Sequence, residues 1–347
     1  MIAELAVLQP GAACTVQDSG RRGLRHIGMP LAGALDPLLL ACANIVVGEA
    51  ADAAGIEIAL AGPTLQALLA PVRVALAGEV DATVHRADGS TAKVAAFTSI
   101  TLAPGDRLAV GACRRGMAYL AISGGCRVPP QLGSRSTYAR AALGGVKGRA
   151  LAAGDLLPCS ESPGGAEQQA APWLLEAGPI RVILGPQLAH FTAAACDTLF
   201  GQGYVVTRDS DRMGMRLSGP ALEHAAPGGA DIHSEGVVPG SIQVPGNGAP
   251  IILLADAQTV GGYAKIGTVI RADLPRLAHL RPGDSVRFAR SSVAQALAAR
   301  QAQAQAWAHW CARIQPLRQG PDLAALYNAN LISGGIDAAR GDLPWEH

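Results

Sequence analysis

Apolar residues come along this chain in short bursts, each closed by Gly, Pro or Asp. Residues 2–8 form the first burst, and others follow at 56–60, 72–76, 80–85, 93–100, 107–110 and 117–122. Short runs at such spacing predict the strands of a barrel or sandwich rather than a parallel α/β sheet. One helix interrupts them. Asp36 is its N-cap, Pro37 takes the first helical position, where a missing N–H costs nothing, and Gly48 stops it after Val47. Further on, 180–184, 204–207 and 285–288 are strand-like, and 187–200 places Leu188, Phe191, Ala195 and Leu199 on one helical face. Residues 292–314 read as a third helix, whose stripe of Trp307, Trp310 and Ile314 packs on the β core or docks a partner. The tail beyond Gly320 carries no clear pattern.

The densest pattern lies at 233–275. Two apolar runs, 241–244 and 250–254, are joined by Pro245-Gly246-Asn247-Gly248, which suits a tight hairpin. The second run leads into Ala255-Asp256-Ala257-Gln258-Thr259, then Gly261-Gly262-Tyr263 and Lys265. Polar groups crowded between strands, with paired glycines that let backbone N–H groups face outward, describe a loop able to hold a small polar ligand. The alternative is a plain strand connection.

Composition narrows the class. The chain has 347 residues, 49% of them hydrophobic and 16% charged, which suits two compact domains and not a disordered chain. Residues 158–179, rich in Pro, Gly, Ser, Ala, Glu and Gln, read as a linker. It separates a β-barrel-like domain at 1–157 from a second at 180–289, with a helix and tail at 290–347. A balance of 28 basic and 27 acidic residues argues against nucleic acid or an anionic membrane as partner. No apolar run is long enough to span a bilayer, and the first residues lack a secretory pattern, so a cytoplasmic setting is expected. Seven scattered cysteines without a Cys-x-x-Cys pair fit buried free thiols. No metal site is expected, since His233-Ser234-Glu235 has no third ligand nearby. His26 reads as a packed or solvent histidine rather than a proton donor.

Two loops echo each other. Asp18-Ser19-Gly20-Arg21-Arg22-Gly23-Leu24-Arg25 aligns with Asp209-Ser210-Asp211-Arg212-Met213-Gly214-Met215-Arg216, sharing Asp, Ser, Arg, Gly and Arg. Gly62-Pro63 likewise echoes Gly219-Pro220, and Pro104-Gly105-Asp106 echoes Pro282-Gly283-Asp284. Two distantly similar β domains would account for this, and their paired loops would then meet at an interface able to hold a ligand.

Several ordered blocks carry a resemblance. They are Thr15-Val16-Gln17-Asp18 with Gly20-Arg21, Gly33-Ala34-Leu35-Asp36-Pro37, Gly133-Ser134-Arg135-Ser136-Thr137, and Gly144-Gly145. In the second half come Asp211-Arg212-Met213-Gly214, Pro239-Gly240-Ser241-Ile242-Gln243-Val244-Pro245, and Leu254-Ala255-Asp256 with Gln258-Thr259-Val260-Gly261-Gly262-Tyr263. Over about residues 15–288 the chain resembles the allophanate hydrolase subunit 2 or KipA family. That family includes the C component of bacterial ATP-dependent 5-oxoprolinase and the carboxyltransferase part of urea carboxylase. The resemblance implies a mainly β fold with some helix, in two cyclophilin-like β-barrel domains. It also implies two partners, a KipI or allophanate hydrolase subunit 1-like protein as the B component and a LamB/YcsF-like protein as the A component. The implied reaction is ATP-driven opening of 5-oxoproline to glutamate. Biotin-dependent carboxyl transfer to a small amide is the runner-up, and a non-catalytic regulator that binds KipI is the third reading. The sequence has no Met-Lys-Met biotin-attachment tripeptide and no Gly-x-x-x-x-Gly-Lys-Ser/Thr phosphate loop, so no biotin is attached here and a lone chain is not expected to run either reaction, with ATP held by this chain or by a partner protein.

Opening an amide calls for cations and N–H donors aimed at developing negative charge, and a carboxylate to place water. Asp18, Asp211, Asp256 and Lys265 are the catalytic candidates. Arg21, Arg135, Arg212, Gln243, Thr259, Gly261, Gly262 and Tyr263 are the substrate-binding candidates. For Asp18 and Asp211 the competing role is to cap a turn.

Overall fold

Residues 2–317 are described by the computed structural model, and the tail beyond Gly320 lies outside them. The apolar runs pair into two β units. The first is a nine-stranded sheet made of β1 (Ile2–Gln9), β2 (Thr15–Gln17), β3 (Gly55–Ile58), β4 (Thr64–Ala67), β5 (Val72–His85), β6 (Thr91–Val94), β7 (Ser99–Leu102), β8 (Arg107–Ile122) and β9 (Leu156–Ser160). Its order is β2-β3-β8-β4-β1-β9, with β5 paired to β6, β7 and β8, and it curls into a half-barrel.

The sequence divides β5 and β8 at glycines that turn out to bend strands rather than end them. Gly78 has φ +113 and Gly116 φ +58, and the β5–β8 register slips between Ala77 and Glu79. Such bulges add a residue to one strand and let pairing resume beyond it. The expected strand at 93–100 does the opposite. Phe97 takes φ +60, a turn conformation, and the run splits into β6 and β7. Helix α1 (Pro37–Val47) begins and ends where its caps require. The Asp36 side chain accepts from the N–H groups of Leu38 and Leu39, and Gly48 has φ +97. Leu39, Leu40, Val46 and Val47 pack it against the sheet, beside Tyr119 and Phe97.

The expected linker at 158–179 begins inside β9, which pairs with β1, so the first unit runs to Ser160. Beyond it, Arg73 holds the carbonyls of Gly164 and Gly165, and β10 (Gln168–Gln169) pairs with β20 (Gln315–Pro316).

The second unit is a closed seven-stranded barrel in the order β11-β18-β15-β16-β13-β12-β19. Its strands are β11 (Ile180–Leu184), β12 (Gly203–Val206), β13 (Gly214–Ser218), β15 (Ser241–Gln243), β16 (Ile251–Leu253), β18 (Lys265–Val269) and β19 (Ser285–Arg290). Tyr204, Leu217, Ile242, Ile252, Ile266 and Phe288 fill the interior. The expected hairpin is present, with Ile242 opposite Ile252. A separate ribbon, β14 (Asp231–Gly236) with β17 (Val260–Tyr263), lies against the barrel. The helix expected at 187–200 is broken. Phe191 is extended and bridges to His224, and only α2 (Ala193–Gly201) is α-helical, capped by Thr192. Tertiary pairing outweighs the helical periodicity there.

After the short α3 (Leu274–Leu277), α4 (Val293–Cys311) starts from a Ser292/Gln295 capping box and returns to the first unit. Trp310 and Trp307 stack at 5.5 Å, Trp173 meets both edge-on, and Trp310 Nε1 donates to the Ala171 carbonyl. The tryptophan stripe therefore joins the two units. All seven cysteines are free. Among the described residues no helix is long and apolar enough to cross a membrane.

The units also meet directly. His279 Nε2 lies 2.8 Å from Asp36 Oδ2, and Arg281 donates to the carbonyls of Cys113 and Arg114. Gly116 permits this approach, because a Cβ there would fall 2.6 Å from the His279 Cα. Its positive φ adds strain for any other residue. Gly116→Ala is therefore expected to lower the free energy of unfolding by about 2 kcal/mol or more. Urea denaturation checks this, and an unchanged midpoint would show that the units do not touch here.

Candidate functional site

Strands β13, β16 and β15 lie side by side, with Arg216 opposite Ile251 and Ile251 opposite Gln243. Ile242, Ile252, Met215 and Leu217 point into the barrel, so the alternation of a strand turns Gln243, Ile251, Leu253 and Arg216 outward. A cleft of about 800 Å³ runs along this outer face. Its size falls in the range usual for small-molecule sites. The Gly261-Gly262-Tyr263 edge of the ribbon forms one wall, and Arg140 reaches in from the first unit.

Five sequence candidates line this cleft: Asp211, Gln243, Gly261, Gly262 and Tyr263. Gln243 is only 3% exposed. Its Oε1 accepts from Gln258 Nε2 at 3.4 Å, and its own Nε2 has no partner. Gly261 makes room for that amide, since a Cβ there would stand 2.4 Å from Nε2. Asp211 sits at the rim and closes a turn, its Oδ1 accepting from the N–H groups of Met213 and Gly214.

A second group gathers where the two units meet. Arg212 forms a bidentate pair with Asp256 at 2.9 and 3.0 Å, a charged contact to Glu57, and a bond to the Gly33 carbonyl. Burial alone works against the Arg212 charge, but Glu57 and Asp256 outweigh it and its pKa lies above the ordinary arginine value. Glu57 also accepts from the Tyr119 hydroxyl at 2.7 Å and the Leu35 N–H at 2.8 Å. Arg21 is 1% exposed and gives Nη2 to the Ser136 carbonyl, while Nε and Nη1 have no partner. Burial lowers its pKa, against the pull of Asp18 and Asp256. The arginines aligned in the echo thus both answer to Asp256.

Asp18 is committed to its own loop. It accepts from Gly20 N–H, the Ser134 and Ser136 hydroxyls and Arg135 N–H. Burial raises its pKa, yet these four donors win and the net shift is downward. The Arg135 side chain holds the Val128 carbonyl. Thr259 gives its carbonyl to Val237 N–H, and Lys265 is buried in an ion pair with Glu235 on β14, which Gln187 also bonds. Asp18, Arg21, Arg135, Arg212, Asp256, Thr259 and Lys265 therefore stand outside the cleft lining. The cleft adds Gln258, Ile251, Arg216 and Arg140, which sequence reasoning had not singled out as site residues. Gln258 had one signal, its place two residues after Asp256. The others become visible only once strand register is known.

Because the folded pKa of Asp18 is depressed, its carboxylate adds stability above the ordinary value of about 4, and that stability is lost as pH falls through the lowered pKa. Asp18→Asn leaves Arg135 N–H facing an amide, so the variant should be less stable than wild type by about 1–3 kcal/mol at neutral pH. The gap should close in acid. Denaturant titrations over that pH range measure it, and a gap that widens on acidification would contradict the assignment.

Compared with known proteins, residues 27–290 match the carboxyltransferase domain, subdomains A and B. The chain is 37% identical over 303 residues to the 5-oxoprolinase C subunit of Escherichia coli (strain K12), covering 86% of this chain and 95% of that protein. With the 5-oxoprolinase C subunit of Haemophilus influenzae it shares 35% over 292 residues, covering 84% of this chain and 92% of that one. The crystal structure of the K. lactis urea amidolyase superposes with a TM-score of 0.79 at 29% identity, covering 92% of this chain and 21% of that one. A match over residues 27–290, well over half of the chain, shows that the chain belongs to the carboxyltransferase-domain family, subdomains A and B.

Proposed function

We propose that this chain is the C-type subunit of an ATP-dependent 5-oxoprolinase, opening 5-oxo-L-proline to L-glutamate together with partner proteins. The observation that carries the reading is the 37% identity extending over 95% of the E. coli 5-oxoprolinase C subunit. The cleft on the second barrel supports it, being of small-molecule size, with amide groups at its base and exposed arginines at its rim. The chain is inactive alone in this reading. A KipI-like B component and a LamB/YcsF-like A component complete it, ATP is held by a partner, and the setting is cytoplasmic, as seven free thiols suit.

Carboxyl transfer from carboxybiotin is the second reading, favoured by the match to the carboxyltransferase domain and the urea amidolyase superposition. One reconstitution separates them. Mixing the chain with both partner proteins, ATP and 5-oxo-L-proline should release glutamate, and omitting the chain or ATP should stop it. No glutamate from a folded three-part mixture, or consumption of carboxybiotin with a small amide acceptor, would overturn the proposal.

A further inference from the structure

The amide of Gln243 is an unspent donor at the base of the cleft. Its Oε1 is held by Gln258 Nε2, which fixes the orientation of the amide and leaves Nε2 without a partner. At 3% exposure, an unmade bond there is costly, so the position calls for an acceptor. Gly261, with no side chain, stands directly beside Nε2, where a Cβ would fall 2.4 Å from it. Along the same outward row, Gln243 is followed by Ile251 on the next strand and Arg216 on the one after. Two strand spacings put Gln243 and Arg216 about 10 Å apart at the backbone, with an apolar side chain between them. Arg216 is exposed and forms no ion pair among the described residues.

Resting on the reading of the chain as part of a 5-oxoprolinase, we propose that the row Gln243, Ile251 and Arg216 is the subsite for a small cyclic amide that carries a carboxylate. Gln243 Nε2 donates to the ring carbonyl oxygen, Ile251 lies under the ring, and Arg216 meets the carboxylate. The orientation follows from solvation. A buried neutral donor suits a neutral carbonyl, whereas a carboxylate placed there would lose water without gaining a counter-charge. The exposed guanidinium at the other end of the row offers the carboxylate a charged, forked partner that remains hydrated. Gln258 acts as a positioning residue, since it decides which face of the Gln243 amide enters the cleft.

The test is calorimetric titration of the chain, assembled with its partner proteins and without ATP, using 5-oxo-L-proline, its methyl ester and L-proline. Wild type should bind 5-oxo-L-proline about tenfold or more tightly than L-proline, which lacks the ring carbonyl. Gln243→Glu removes the donor and should erase that preference. Arg216→Gln, an exposed change that leaves folding intact, should erase the preference for the acid over the ester while keeping the preference for the lactam over proline. That split is one a general packing defect would not produce. No binding of 5-oxo-L-proline, or variants that rank the three ligands as wild type does, would overturn the subsite. Glutamate release measured on the same samples keeps the two claims apart. Release with unaltered ligand ranking in the variants sinks the subsite alone, and the expected ranking without release sinks the 5-oxoprolinase reading alone.

Discussion

The guanidinium of Arg212, carried by the second β unit, lies between Glu57 of the first unit and Asp256 of its own, and also holds the carbonyl of Gly33. Glu57 and Asp256 have side-chain exposures of only 4% and 10%. That burial decides its weight. A solvent-exposed pair such as Arg114 with Asp81 contributes about 0–1 kcal/mol. Taking the cation from between two buried carboxylates is of another order, about 3–5 kcal/mol, because each is left in a poorly solvated place without its partner. The first unit is shaped for this contact. Tyr119 and the Leu35 backbone hold Glu57, and the Asp36 N–H in turn bonds the Tyr119 hydroxyl.

The cleft depends on that junction, because it begins where the junction ends. Arg212 lies between Asp211 and Met213, both on the cleft wall, and Asp256 is two residues before Gln258. Arg25 of the first unit holds the carbonyls of Val237 and Gln258, and the Ala32 N–H donates to the Ala255 carbonyl. The loop bearing Gln258, and the ribbon that follows it, are thus held in part by the other unit. On the far side, Lys265 and Gln187 hold the ribbon to the barrel through Glu235. A shift of one unit against the other would move Gln258 relative to Gln243 and alter which amide group faces the cleft.

Local signals in the sequence were legible wherever a few neighbouring residues decide the outcome. Asp36, Pro37 and Gly48 mark the helix between them, and the Pro245–Gly248 turn marks the hairpin. Glycine was harder to read, because Gly78 and Gly116 resemble strand ends and act as bulges whose role depends on the opposite strand. Long-range pairing also defeated the helical periodicity at Phe191, which is drawn into a bridge with His224. For the site, the Asp-Ser-x-Arg echo pointed to arginines that do converge on Asp256, but charge alone could not separate groups that bind one another from groups left free for a ligand. Asp18 and Lys265 belong to the former. Gln243 was legible as polar in an apolar strand, whereas its alignment with Ile251 and Arg216 is a matter of register across three strands.

Arg212 and Glu57 couple the two units into one cooperative body. A double-mutant cycle with Glu57→Gln and Arg212→Met, read by urea unfolding, measures that coupling directly. A single unfolding transition is expected for wild type, with an interaction energy of about 1–3 kcal/mol between the two positions. Single-mutant effects that add to within about 0.5 kcal/mol would contradict it.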